Sequence, residues 1–132
     1  QSRWLGADAI LLLARCLTKA QIEEFSGAAT ELGMDILIEV HHPEELDKAL
    51  CVPEAMVGIN HRDLSTLEMH PERALELISQ IPDDRLVVGE SGIRSAADIH
   101  RLQAGGINTF LVGSHLVASG DPGGCLATLL TP

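Results

Sequence analysis

The sequence predicts an α/β fold assembled from repeated, parallel βα units. Five short apolar runs recur along 132 residues, each too short for a helix and apolar on both faces, as suits strands of a sheet covered on both sides. Segments of helical periodicity separate them, each long enough for the crossover that parallel pairing requires. Three strands are entered by related turns, "LGADAILLL", "LGMDILIEV" and "AGGINTFLVG", in which a glycine ends a helix and a short polar turn feeds the strand.

Taken in order, "QSRWLG" reads as the tail of a helix entering a turn, and "AILLL" from Ala9 is the first strand. Thr18 is the N-cap of a helix running to Leu32 that places Ile22, Phe25, Ala29 and Leu32 on one face and closes at Gly33. "ILIEV" from Ile36 is the second strand, and Pro43 opens a helix to Leu50. "MVGIN" from Met56 precedes a helix from Pro71 to Ile78, and "LVVGE" from Leu86 precedes one from Ser95 to Gln103, with Ser95 as its cap. "TFLVG" from Thr109 is the last strand, and a helix from about Gly123 to Leu130 follows the cap candidate Asp121. Two architectures accept this order: an open, doubly wound five-stranded sheet, or part of an eight-stranded βα barrel. A full barrel takes roughly 250 residues, so five strands would correspond to its last five-eighths.

Composition narrows the functions. A hydrophobic content of 45% and a charged content of 21% suit a globular domain without low-complexity tracts. The net charge of −10 repels phosphate backbones and anionic lipid, which makes nucleic acid and membranes poor partners and means that a small anion needs a local device to be held. Cys16, Cys51 and Cys125 stand far apart, which argues against a disulfide framework and a zinc site and favours a cytoplasmic location.

In either architecture ligand groups gather at the carboxyl ends of the strands. Those ends carry Glu39 and His41, then Asn60 with Arg62 and Asp63, then Glu90 and Ser91, then Gly113 and Ser114. Polar strand ends are common where chains meet solvent, but Glu39 lies between Ile38 and Val40, where a carboxylate must be compensated and can serve as a general acid or base. "GESG" and "VGSH" add glycines, Gly92 and Gly113, that let backbone N–H groups approach an anion at the start of a helix. His41, His42 and His61 raise the question of a metal, yet adjacent strand residues point to opposite faces, so the expectation is that no metal is bound.

The ordered set "GADAILLL", "ILIEVH", "GINHRDL", "VVGESGIR" and "FLVGSHLV" closely resembles the carboxyl-terminal part of indole-3-glycerol phosphate synthase, across essentially the whole chain. The resemblance implies strands four to eight of a TIM (β/α)8 barrel, residues 1–132 forming a partial domain without strands one to three. It also implies ring closure of 1-(2-carboxyphenylamino)-1-deoxyribulose 5-phosphate with loss of carbon dioxide and water, using no metal or organic cofactor. By position, Glu39 resembles the general acid/base carboxylate, Asn60 the substrate-bonding amide, and Arg62 falls on the family's N-x-R-D-L loop. Glu90 and Ser91 match the pair that contacts the anilino and ribulose groups. Gly92, Gly113 and Ser114 match phosphate donors, and Leu11 matches an apolar wall against the aromatic ring. The family's catalytic lysines have no counterpart here: Lys19 and Lys48 are the only lysines and fall in helices. The chain alone is therefore expected to be inactive, and its open edges are expected to self-associate or to take up a complementing amino-terminal half-barrel. Two other readings fit less well: a non-enzymatic flavodoxin-like module, disfavoured because the first strand ends in "LLLARC", and phosphoribosylanthranilate isomerase, disfavoured by Glu39 with "NHRDL".

Overall fold

The computed structural model describes residues 1–60 and 76–131. Its elements are β1 (Ala9–Leu13), α1 (Lys19–Glu31), β2 (Asp35–Val40), α2 (Pro43–Leu50), β3 (Met56–Asn60), β4 (Val87–Glu90), α3 (Ala96–Ala104), β5 (Thr109–Leu111), α4 (Ser114–Ala118) and α5 (Pro122–Leu129). The strands form one parallel sheet in the order β1-β2-β3-β4-β5, so each crossover returns the chain to the next place in the same direction. That unreversed order is the sheet of a βα barrel and excludes a doubly wound sheet, in which the order reverses at a switch point.

Register divides the residues between two faces. Ile38 pairs with Val57 and Val57 with Val87, while Glu39 pairs with Gly58 and Gly58 with Val88. The first row packs under the helices, with Ile36, Ile38, Val40, Val57 and Ile59 each no more than 3% exposed. The second row forms the opposite, concave face. Both edges are open among the described residues, and Leu11 on β1 and Leu111 on β5 are 49% and 51% exposed.

Local chemistry sets the helix limits. Thr18 and Ser95 each make a capping box, with Gln21 and Asp98 reaching back to the cap N–H. Asp121 accepts from Gly124 N–H to start α5. At the end of α2, Arg85 Nη2 donates to the carbonyl of Val52 at 2.6 Å, tying the turn before β4 to that helix.

The structure corrects three expectations. α1 buries Ile22, Ser26 and Ala29, whereas Phe25 and Leu32 are exposed, because the main contacts of α1 among the described residues are with β1, β2 and α2 at the sheet edge. β4 begins at Val87, leaving Leu86 half-exposed at the sheet's rim. β5 ends at Leu111, and Gly113 then caps the short helix α4, whose five residues are too few to show periodicity in the sequence. Residues 76–78 are helical, in agreement with the end of the helix expected from Pro71, whose start lies outside the described residues together with His61, Arg62, Asp63 and His70.

Candidate functional site

The concave face ends, at the carboxyl tips of the strands, in a hollow of about 360 Å³. Its lining includes Leu11 from β1, Glu39 from β2, Asn60 from β3, Glu90, Ser91 and Gly92 from β4 and its turn, and Gly113 and Ser114 at the start of α4. Eight of the nine candidate positions thus meet in one place, and the ninth, Arg62, lies outside the described residues.

Parallel register brings them together. Glu39 and Gly58 are neighbours in one layer, and Asn60 and Glu90 are neighbours in the layer above. Glu90 leans back over Gly58, so closely that a Cβ on Gly58 would collide with Glu90 Oε1. The missing side chain opens the path by which Glu90 reaches Glu39, and the two carboxyl groups share a hydrogen bond. Gly58 is a site residue that the sequence reading passed over, although a glycine inside a strand signals such a close approach.

Burial and the carboxyl neighbour together determine the charge. Glu39 is 8% exposed and Glu90 4%. Burial, the hydrogen bond that protonated Glu90 donates to Glu39 and the repulsion of the Glu39 charge push the Glu90 carboxyl up to about 8, so Glu90 holds a proton at neutral pH. A carboxyl group that keeps its proton at pH 7 beside a second carboxyl group has the chemistry that acid–base catalysis uses.

The turn after β4 is unusual. Ser91 at φ 64° and Gly92 at φ 67° are consecutive left-handed residues, and Ser91 is the only non-glycine with positive φ among the described residues. A side chain in that region costs about 1–3 kcal/mol and persists where the surroundings demand it. The turn places Ser91 and Gly92 in the lining of the hollow, together with Gly113 and Ser114. Gly113 itself has φ −121° and open space where a Cβ would stand, so the backbone does not require glycine there.

The remaining candidates resolve plainly. His41 is buried behind Glu39, whereas His42 is exposed at the N-cap of α2. No group of three or more His, Cys, Asp or Glu among the described residues is arranged to hold a metal ion. Lys48 Nζ donates to the carbonyls of Ala14 and Leu17 at 2.8 and 3.0 Å, and neither it nor Lys19 lines the hollow.

Comparison with known proteins agrees with this geometry. The chain is 50% identical over 121 residues to an indole-3-glycerol phosphate synthase of Rhodopirellula baltica, covering 92% of the chain and 47% of that relative. It is 41% identical over 129 residues to the enzyme of the same name from Variovorax paradoxus, covering 98% of the chain and 48% of the relative. The chain thus spans about half the length of the curated relatives it matches. Among solved structures, a mandelate oxidase mutant superposes with a TM-score of 0.69 at 17% identity, covering 97% of the chain and 48% of that protein, which shows the fold alone. The Amycolatopsis orientalis BexX/CysO complex matches with a TM-score of 0.58 at 25% identity, covering 86% of the chain and 50% of that protein. The model of the family described as indole-3-glycerol phosphate synthase matches residues 1–129, and the chain belongs to that family.

Proposed function

We propose that this chain carries the phosphate-binding and carboxylate-bearing part of an indole-3-glycerol phosphate synthase site, and that the complete barrel closes the indole ring of 1-(2-carboxyphenylamino)-1-deoxyribulose 5-phosphate with loss of carbon dioxide and water. The observation that carries this reading is the convergence of eight family-matched residues on one hollow around a carboxyl pair that keeps a proton at neutral pH. In it Glu39 and Glu90 move protons, Asn60 and Ser91 hold the substrate's polar groups, and Leu11 packs against the aromatic ring. The backbone of Gly92 and Gly113, with the Ser114 hydroxyl, holds the phosphate by N–H and O–H donation, which offsets the repulsion of an acidic chain. Arg62 is assigned to substrate binding from the N-x-R-D-L match.

The set is incomplete by itself. Proton delivery by a positioned acid contributes about 10²–10⁴-fold, and no lysine of this chain reaches the hollow. Three further βα units pairing with the edges of β1 and β5, open among the described residues, would close the barrel, and a separate amino-terminal half-barrel or a second copy of this chain would cover those edges. The three free cysteines fit the reading of a reducing cytoplasm as its location.

The test is complementation: the chain is mixed with an amino-terminal half-barrel of the family and substrate, and indole fluorescence is followed. Turnover restored by mixing, and lost with Glu39→Gln, is the expected result. Undiminished turnover in that variant removes the role given to Glu39.

A further inference from the structure

The turns after the last two strands share a pattern that the proposed chemistry leaves unused. "GIR" at residues 92–94 and "GSH" at residues 113–115 each set a basic side chain two residues beyond a glycine of the hollow. The fold brings these two side chains together: Arg94 and His115 line a second hollow of about 420 Å³, which shares Gly92, Ile93, Ser114 and His115 with the first. Glu39, Asn60 and Glu90 line the first hollow but not the second. The two spaces therefore join at the Gly92 and Ser114 end, and the basic residues stand at that end, away from the carboxyl pair.

Local structure holds each of them in place. The Arg94 backbone N–H donates to Asp98 Oδ2 at 3.2 Å, so the capping box of α3 fixes its main chain while its side chain is exposed. The Asp98 carboxylate is itself taken up by the Ser95 hydroxyl at 2.8 Å and by Arg101 Nη1 at 3.4 Å. His115 is the second residue of α4 and is half-buried. Other cations are committed elsewhere: Arg3 pairs with Asp8, Arg85 donates to the carbonyl of Val52, and Lys48 donates to those of Ala14 and Leu17. Arg94 is the one arginine or lysine among the described residues that lines either hollow.

We propose that Arg94 and His115 are specificity-determining residues for the substrate's phosphate, which they meet from the adjoining hollow, and that they fix which of the substrate's two anionic ends enters there. Backbone N–H groups and a hydroxyl accept either a carboxylate or a phosphate. A phosphate monoester carries about −1.5 to −2 charge at pH 7, so a fixed positive charge favours it over the singly charged carboxylate. The Arg94 guanidinium adds a planar fork of donors that fits two phosphate oxygens, and the His115 imidazole has an N–H to donate whether it is charged or neutral. The Glu39 charge repels anions from the other end, so the field along the hollow runs one way.

The inference rests on the reading of Gly92, Gly113 and Ser114 as phosphate donors, and its test lets the two fail separately. The full chain is titrated calorimetrically with 1-(2-carboxyphenylamino)-1-deoxyribulose 5-phosphate and with the same compound lacking its phosphate. The native chain should prefer the phosphorylated compound. Arg94→Gln and His115→Gln should each reduce that preference by roughly three- to tenfold, as loss of one partly exposed charge-assisted bond does, and leave the affinity for the other compound unchanged. Arg94→Lys, which keeps the charge, should recover most of the loss. Raised ionic strength should shrink the preference of the native chain more than that of Arg94→Gln, because the charge that salt screens is gone from the variant. Gly113→Val puts a side chain where the backbone has room for one, and should abolish the preference by occupying the phosphate position. A preference unchanged in both Arg94→Gln and His115→Gln but abolished by Gly113→Val overturns this inference and keeps the phosphate reading. No preference in the native chain removes both.

Discussion

At the residue scale, the unusual chemistry is concentrated on Glu90. Its carboxyl is raised from 4.5 to about 8 in the folded chain by burial and by Glu39. The folded state therefore binds a proton more tightly than the unfolded state between those values, and the stability held below about pH 4.5 is lost as pH rises through 8. Thermal melts should show the midpoint falling across that window, and Glu90→Gln, which cannot ionise, should flatten the fall. An identical pH slope in the variant would remove Glu90 as its source. Gly58 has the opposite role, since its value lies in what it lacks. Adding one methyl at Gly58→Ala drives into Glu90 and against Leu37, and should cost about 1–3 kcal/mol by denaturant titration. The same change should bring Glu90's titration down from about 8, because the displaced carboxyl leaves Glu39.

At the scale of elements, short helices depend on their ends. α1 and α3 each begin with a reciprocal capping box, and α3, nine residues long, is shorter than the roughly 12–15 residues below which an isolated helix is marginal. Replacing Ser95 or Thr18 with alanine should cost about 1 kcal/mol each in chemical denaturation, with additive losses because the two sites lie on separate helices. These caps were legible from the sequence, as were all five strands, because a cap or an apolar run is written in adjacent residues. α4 was not legible, since one turn of helix leaves no periodic trace. The exposure of Phe25 and Leu32 was not legible either, because the pattern of α1 records which face is apolar and not what lies beside it.

At the scale of the whole molecule, the open sheet dominates. Trp4, Leu11, Leu111, Val117 and Leu130 are all substantially exposed, and β1 and β5 each pair on one side only among the described residues. Unpaired parallel edges with apolar flanks are templates for further strands. Sedimentation velocity should therefore show concentration-dependent dimers or larger species, and addition of an amino-terminal half-barrel should shift them toward a single heterodimer. A stable monomer that ignores the added half would contradict the proposed pairing.

The sequence by itself determined the βα alternation, the family and eight positions of the candidate site, because each is carried by local pattern: apolar runs, caps, and motifs at the ends of strands. Only the tertiary structure decided how those positions act on one another. Parallel register sets Gly58 beside Glu39 and below Glu90, and the helix turn at Pro43 brings Glu45 back onto His41. A proton held at neutral pH arises from distance and burial between strands that are far apart in the chain, and no single stretch of residues contains either quantity.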